Sequence, residues 1–470
     1  MSEEIIKDSF WLSGYKIEAI YPTLEKDIKT DVAVIGSGIT GLTTAYLLAK
    51  AGKKVVVLEQ DILIKNTTTA YSTGFLSYIL DGDFSPLLKQ SAIEAIDVLE
   101  RIIKEEKIDC DFARCPLFVC ADSEQSVKKL PKENIGHYPL GNAYNVCAKF
   151  EGNAKINSVK FMQGLIKVLD KMGVRFFENT KVLGITDENP VMIETEKANV
   201  QAEYAVLAKN SHKGKKYPLS TDVTYVLAAD LQKHDLPEGI FIDTYEPYNY
   251  FRVDGKKIIL GGQDNSSDLS VLADERYKKL ENHLIELVGK NNYIITHQWS
   301  GQVVNSVDGL PYIGESIDNK HQLLSAGHGG DGLTLGMLSA MINSDIILGR
   351  KNKDAALFKP KRLKSACRII RQGANALKSL YTGRINLKEL DIEKIPNDTG
   401  AVGTIDKQKV AIYKDEKGDI KKLSPVCSHL GCIVHWNNKA KTWDCPCHGS
   451  RFTKDGRAKT SPAKKPLASL

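Results

Sequence analysis

Cysteine and histidine recur in two boxes near the end of this 470-residue chain: Cys427-Ser428-His429 and, fifteen residues further on, Cys445-Pro446-Cys447-His448. Thiolate and imidazole are metal ligands, and four at this spacing suit a tetrahedral zinc site or an iron–sulfur cluster. Zinc leaves Cys432, Cys447, Pro446 and the Gly449-Ser450 pair without a purpose.

A second chemical motif lies near the other end. The apolar run Asp31 to Ile35 leads into Gly36-Ser37-Gly38-Ile39-Thr40-Gly41. A helical pattern follows from Leu42 to Ala51, then an apolar run from Lys54 to Leu58 that ends in Glu59. Strand, glycine turn, helix, strand and acid together read as a dinucleotide site. Gly36 permits the turn, Gly38 lets a pyrophosphate approach the backbone, and Gly41 lets helix and strand pack closely. The helix start presents free amides to the phosphates, and Glu59 is placed to accept from ribose hydroxyls.

The paired boxes resemble the Rieske iron–sulfur domain. That resemblance implies a 2Fe–2S cluster with Cys427 and Cys445 on one iron and His429 and His448 on the other. Imidazole in place of thiolate removes negative charge and raises the potential above that of an all-cysteine ferredoxin. The resemblance also implies a disulfide between Cys432 and Cys447, and a hydroxyl from Ser450 to a bridging sulfide. Where respiratory members carry Tyr, this chain has Phe452. One fewer donor to the cluster predicts a lower potential than theirs.

The larger part of the chain, in scattered blocks over residues 8–350, resembles the D-amino-acid-oxidase-like FAD-dependent oxidoreductases. The blocks are the glycine turn, Tyr248-Asn249-Tyr250-Phe251-Arg252 with Lys257 to Gly262, and Trp299-Ser300-Gly301 with Asp308-Gly309-Leu310-Pro311-Tyr312-Ile313-Gly314. The last is Gly327-His328-Gly329-Gly330-Asp331-Gly332-Leu333-Thr334, followed by a helix. The resemblance implies FAD, with this last loop closing over the flavin and its helix start aimed at the ring. Gly327, Gly332, Leu333 and Thr334 are therefore candidate cofactor residues, with Thr68 and Thr69 from Asn66-Thr67-Thr68-Thr69-Ala70. The late loop also fits G-x-G-x-x-G, but no second strand and acid follow it, so a separate NAD site is not expected. Glycine-oxidase-like members continue Trp-x-Gly with Leu-Arg-Pro; here the residues are Gln302-Val303-Val304. The missing Arg fork argues against a simple α-amino acid held in that manner. Arg252 is either a substitute or a strand residue with an ordinary partner, and Tyr248 and Tyr250 either line the substrate cavity or only pack.

A chain of this length carries two or three domains. The expected fold is an α/β FAD-binding Rossmann-like domain with an antiparallel-sheet substrate domain, over residues 1–350. A linker over 351–385 follows, then a small all-β Rieske domain over 386–470. In the linker Leu363, Cys367, Ile370, Ala374 and Leu377 fall at helical spacing among basic residues, as in a connector that docks on its own protein or a helix that lies on anionic lipid. In the last domain the strand Lys409 to Tyr413, the turn Glu416-Lys417-Gly418, the turn at Asn437-Asn438 and Trp443 are expected. No apolar run reaches membrane-spanning length, and no leader is evident at Met1 to Phe10, so a cytoplasmic protein is expected. A net charge of +6 gives no basis for nucleic-acid binding. With four of nine cysteines assigned, Cys110, Cys115, Cys120, Cys147 and Cys367 remain, and the first three, five residues apart, are expected as free thiols in a half-buried segment.

The combination implies an oxidoreductase acting on a C–N bond of an amine or amino-acid-like substrate. Electrons would leave the flavin through the cluster to an external one-electron carrier. A reductase running the other way and a non-catalytic redox sensor are the alternatives. No catalytic acid or base stands out.

Overall fold

A computed structural model describes the chain apart from residues 1–4, 14–19, 81–85, 122–126, 128–129, 131–133, 211–216, 245–247, 267–272, 307, 363–388, 407, 429–432, 438–440, 445–450 and 459–464. The chain forms two compact units, Met1–Arg362 and Leu363–Leu470.

In the first unit the strand Ile28–Ile35 runs parallel to Val55–Leu58 on one side and to Asn199–Leu207 on the other. Strands covered on both faces need apolar residues at consecutive positions. Val32 and Val34 accordingly pack with Leu42 and Ala45 of the helix Ile39–Lys50, while Ala33 and Ile35 pack with Val56, Leu58 and Val200 on the far face. The helix Gly332–Ile347 is apolar around most of its girth and lies in this core. It approaches the first helix closely: a Cβ at Gly336 would lie 2.8 Å from Thr40 Oγ1 and 2.9 Å from Ile39 Cγ2.

A second, ten-stranded sheet is largely antiparallel. Its strand Leu219–Leu231 is paired with Tyr293–Ser306 on one side and Lys257–Ser266 on the other. Period-two alternation divides its faces. Tyr225, Leu227, Ala229, Phe251 and Val253 pack with Leu280, Leu284 and Leu287 of the helix Ala273–Val288. Val226, Ala228 and Trp299 belong instead to the core shared with the nucleotide sheet. The Rossmann-like and antiparallel-sheet expectations hold.

The thiol expectation needs one correction. Cys120 and Cys147 sit directly opposite each other in the ladder between Ala113–Ala121 and Tyr144–Lys155, with Cα atoms 4.1 Å apart, and are joined as a disulfide. The register between two strands distant in sequence sets this pairing, and residue spacing does not reveal it. Cys110 and Cys115 are buried free thiols, both pushed above the usual range by burial, and Cys367 lies outside the described residues.

Residues 351–362 pack on the first unit, with Phe358 fully buried. Arg362 ends this segment as a buried fork on Asp308: Nε to Oδ2 at 2.9 Å and Nη2 to Oδ1 at 2.8 Å. It also donates to the carbonyls of Leu310, Pro311 and Phe358 and lies 4.5 Å over the Tyr312 ring. Asp308 of the Asp-Gly-Leu-Pro block thus clamps the end of the unit. The amphipathic stripe from Leu363 to Leu377 lies outside the described residues.

The second unit is all-β where described. Thr399–Ile405, Gln408–Lys414 and Ile420–Leu423 form one antiparallel sheet; His435–Asn437, Thr442–Asp444 and Arg451–Thr453 form another. The expected strand is present, and the expected turn closes with Gly418 at φ +93°. Asn438, half of the other expected turn, lies outside the described residues.

Removing one member of a buried ion pair leaves an uncompensated charge. Asp308→Ala is expected to destabilise the first unit by on the order of 3–5 kcal/mol, read from its unfolding transition in denaturant. Asp308→Ala combined with Arg362→Met should recover part of that loss.

Candidate functional site

The glycine turn is shaped by close approach. Gly36 has φ +110°, and a Cβ there would meet the Ala208 carbonyl oxygen at 2.7 Å. A Cβ at Gly41 would lie 2.0 Å from the Gly36 oxygen. The helix can therefore begin directly over the strand end only if both positions lack a side chain. Gly38 is the N-cap, and the Ile39 amide donates to Thr69 Oγ1 at 3.1 Å. Thr40 is buried against the closing helix, Thr69 is buried, and Thr68 is exposed.

Glu59 is buried at the end of its strand, and its Oε2 accepts from the Ser37 amide at 2.9 Å and the Ser37 hydroxyl at 2.8 Å. The acid and the glycine turn, separate motifs in sequence, are one hydrogen-bonded unit. Sequence reasoning missed Lys209, which follows Ala208, the residue packed over Gly36. It is half-buried; burial lowers its pKa, the nearby Glu59 carboxylate opposes that, and Lys181 adds to it. A lone lysine after an apolar strand carries no signal until the sheet places that strand end beside the turn.

The closing loop is held by a second missed residue, Asn210. Its backbone oxygen accepts from the Gly327 amide at 3.2 Å and its Oδ1 from the His328 amide at 3.3 Å. His328 is buried with Nε2 2.9 Å from Ser339 Oγ, and burial pushes it down to about 4, so the ring is neutral at physiological pH. The helix then begins at Gly332, where a Cβ would meet nothing within 4 Å. Leu333 and Thr334 are buried, and Thr334 Oγ1 accepts from the Ser77 amide at 3.1 Å. His328 and Gly329 pair with Asn305 and Val304, which ties this loop to the second sheet. Among the described residues of the first unit, no strand follows the closing helix.

Arg252 does not act as a substrate clamp. It is buried, donates to the carbonyls of Thr73, Gly74 and Ile156, pairs with Asp254 at 2.5 Å and lies 5.2 Å from the Trp11 ring centroid. Tyr250 lies across Gly261, its hydroxyl 2.7 Å from Thr224 Oγ1 and its ring edge-on to Phe75. The Tyr248 hydroxyl is 3.5 Å from Asp264.

In the second unit the described residues that flank each Cys/His box are paired with one another. Val426 bridges to Ile433 at the base of the first, and Asp444 pairs with Arg451 at the base of the second. His435 pairs with Asp444, so both loops leave the same end of one sheet. Cys427 is buried in the core with Trp443 and Phe452. His429, Cys432, Cys445, Cys447, His448 and Ser450 lie outside the described residues. Cys427 in a dry core, with the flanks of both boxes at one end of a sheet, fits a shared cluster.

A nucleotide cradle backed by a closing helix and a large antiparallel sheet, in a chain that also carries an all-β unit with two Cys/His boxes, defines a flavoprotein oxidoreductase with an iron–sulfur domain. Residues 31–346 match the FAD dependent oxidoreductase family and residues 387–470 the Rieske 2Fe–2S domain. The chain belongs to the FAD dependent oxidoreductase family. It is 27% identical to the Rieske 2Fe-2S iron-sulfur protein YhfW of Bacillus subtilis (strain 168), across 98% of this chain and 97% of that one. Gamma-glutamylputrescine oxidoreductase of Escherichia coli (strain K12) is 25% identical over 73% of this chain and 89% of its own. The crystal structure of glycine oxidase from Geobacillus kaustophilus superposes with a TM-score of 0.63 at 19% identity, covering 71% of this chain and 99% of that one. The first domain binds FAD and the second a 2Fe–2S cluster.

Phe452 is fully buried opposite Trp443, one strand from the second box. Phe452→Tyr should raise the midpoint potential of the cluster by supplying a donor that stabilises its reduced, more negative state. Redox titration of both proteins checks this; equal potentials would remove Phe452 as a tuning residue.

Proposed function

We propose that this oxidoreductase oxidises a C–N bond of an amine or amino-acid-like compound and passes the electrons through its Rieske domain to an external one-electron carrier. FAD takes two electrons with a hydride and an iron–sulfur cluster releases them one at a time, so the cofactors together supply the conversion. The observation that carries this reading is the presence of both domains in one chain. The names of the glycine oxidase and of the gamma-glutamylputrescine oxidoreductase favour nitrogen-bearing substrates.

In this reading the protein supplies position and electrostatics. Gly36, Ser37, Gly38, Ile39, Thr40 and Gly41 hold the pyrophosphate on the helix start. Lys209 brings positive charge to that end, and Glu59 orders the turn through Ser37. Thr68 and Thr69 flank the cradle. Gly327, Gly332, Leu333 and Thr334 set the ring beside the closing helix, whose N-terminal dipole favours negative charge there. A neutral His328 keeps this wall of the site free of a competing buried cation. Cys427, His429, Cys445 and His448 hold the irons, and Cys432 with Cys447 clasps the two loops.

Anaerobic mixing with a panel of primary and secondary amines and amino acids tests the reading. A C–N substrate bleaches the flavin absorbance and then reduces the cluster, seen by low-temperature electron paramagnetic resonance. A broad panel that leaves the flavin oxidised contradicts it.

A further inference from the structure

One face of the second sheet lies against the short helix that meets the glycine turn. Thr224 lies opposite Gly301, and a Cβ at Gly301 would be 3.4 Å from both Thr224 Cγ2 and the Tyr71 oxygen. Tyr71 ends the short helix Thr68–Tyr71, in which Thr69 touches the glycine turn. Along the same face, two residues before Thr224, stands Asp222. Its Oδ2 accepts from Asn305 Nδ2 at 2.9 Å, and Asn305 is the strand partner of His328 in the closing loop. Asp222 is therefore tied, through one side chain, to the loop that leads into the closing helix.

Its surroundings do not suit a purely structural carboxylate. Asp222 is half-buried, and its Oδ1 accepts no hydrogen bond among the described residues. Burial raises its pKa, and only the Asn305 amide opposes that; no described cation contributes. Arg252, on this face, spends its two terminal nitrogens on three carbonyls and Asp254. The neighbouring polar groups, the hydroxyls of Thr224 and Tyr250, are neutral. A partly desolvated carboxylate with one open oxygen gains from a cation or donor that arrives to meet it.

We propose that Asp222 is a substrate-binding residue that takes an ammonium group, so that the substrate is a diamine or another compound with a second cationic nitrogen. This rests on the C–N oxidation reading above. The reacting nitrogen must keep its lone pair while the adjacent carbon gives up hydride, and a carboxylate partner would hold it protonated. The ion pair at Asp222 therefore belongs to a second nitrogen, away from the reacting bond. A substrate carboxylate is disfavoured by the same charge.

The test uses the full FAD-loaded chain without oxygen, with 1,4-diaminobutane, n-butylamine and glycine as probes of the flavin difference spectrum. The diamine should half-saturate at least ten-fold below n-butylamine, and glycine should be weakest. Asp222→Asn should weaken the diamine ten-fold or more and leave n-butylamine nearly unchanged. Equal binding of the diamine to both proteins, no response to it, or a preference for glycine overturns the proposal. Should Asp222→Asn lose FAD, Asn305→Ala keeps the charge and must keep the diamine preference; losing it counts against the proposal. Flavin reduction by amines that is indifferent to Asp222 leaves C–N oxidation standing and removes this inference. A diamine preference through Asp222 with no flavin reduction by any amine does the reverse.

Discussion

The site depends on a two-residue ladder in which His328 and Gly329 pair with Asn305 and Val304. This pairing fastens the loop before the closing helix to the long strand of the second sheet. It acts with the shared core and with the Trp299 indole, which donates to the Tyr71 carbonyl at 3.0 Å, to fix the nucleotide cradle against the sheet face. Asn210 secures the loop from the nucleotide side and Asn305 from the other, where it also holds Asp222. The buried, neutral His328 stands between them, hydrogen-bonded to Ser339 of the closing helix. Charging that ring would cost the desolvation that lowers its pKa, so the loop is held by a group with no charge to vary near neutrality.

The nucleotide end was legible because its constraints are local. Gly36 turns at φ +110° and Gly41, five residues on, lies against the Gly36 oxygen inside the motif, with only the Ala208 oxygen over Gly36 coming from outside it. The Cys/His boxes were legible for a similar reason, since each is a short run of sequence between residues that pair with one another. The turn ending at Gly418 follows from a glycine at positive φ in a hairpin loop.

What sequence left hidden depends on register between distant strands. Cys120 meets Cys147 because two strands pair at that offset. Arg252 looked like a possible anion clamp until the chain around Gly74 and Ile156 surrounded its guanidinium with carbonyls. Asp308 belonged to a recognisable block, yet its partner Arg362 is 54 residues away, inside a stretch that reads as linker. Lys209 and Asp222 carry no motif at all. Each gains meaning only from what the sheets place beside it: the glycine turn for one and the closing loop for the other.

The account rests on a two-electron centre and a one-electron centre in the same chain. Anaerobic titration of the purified protein with dithionite, followed by absorbance, measures this directly. Three electron equivalents per chain are predicted, falling to two when His448→Ala removes the cluster while FAD remains. Two equivalents in both proteins, or no change on losing His448, would contradict it.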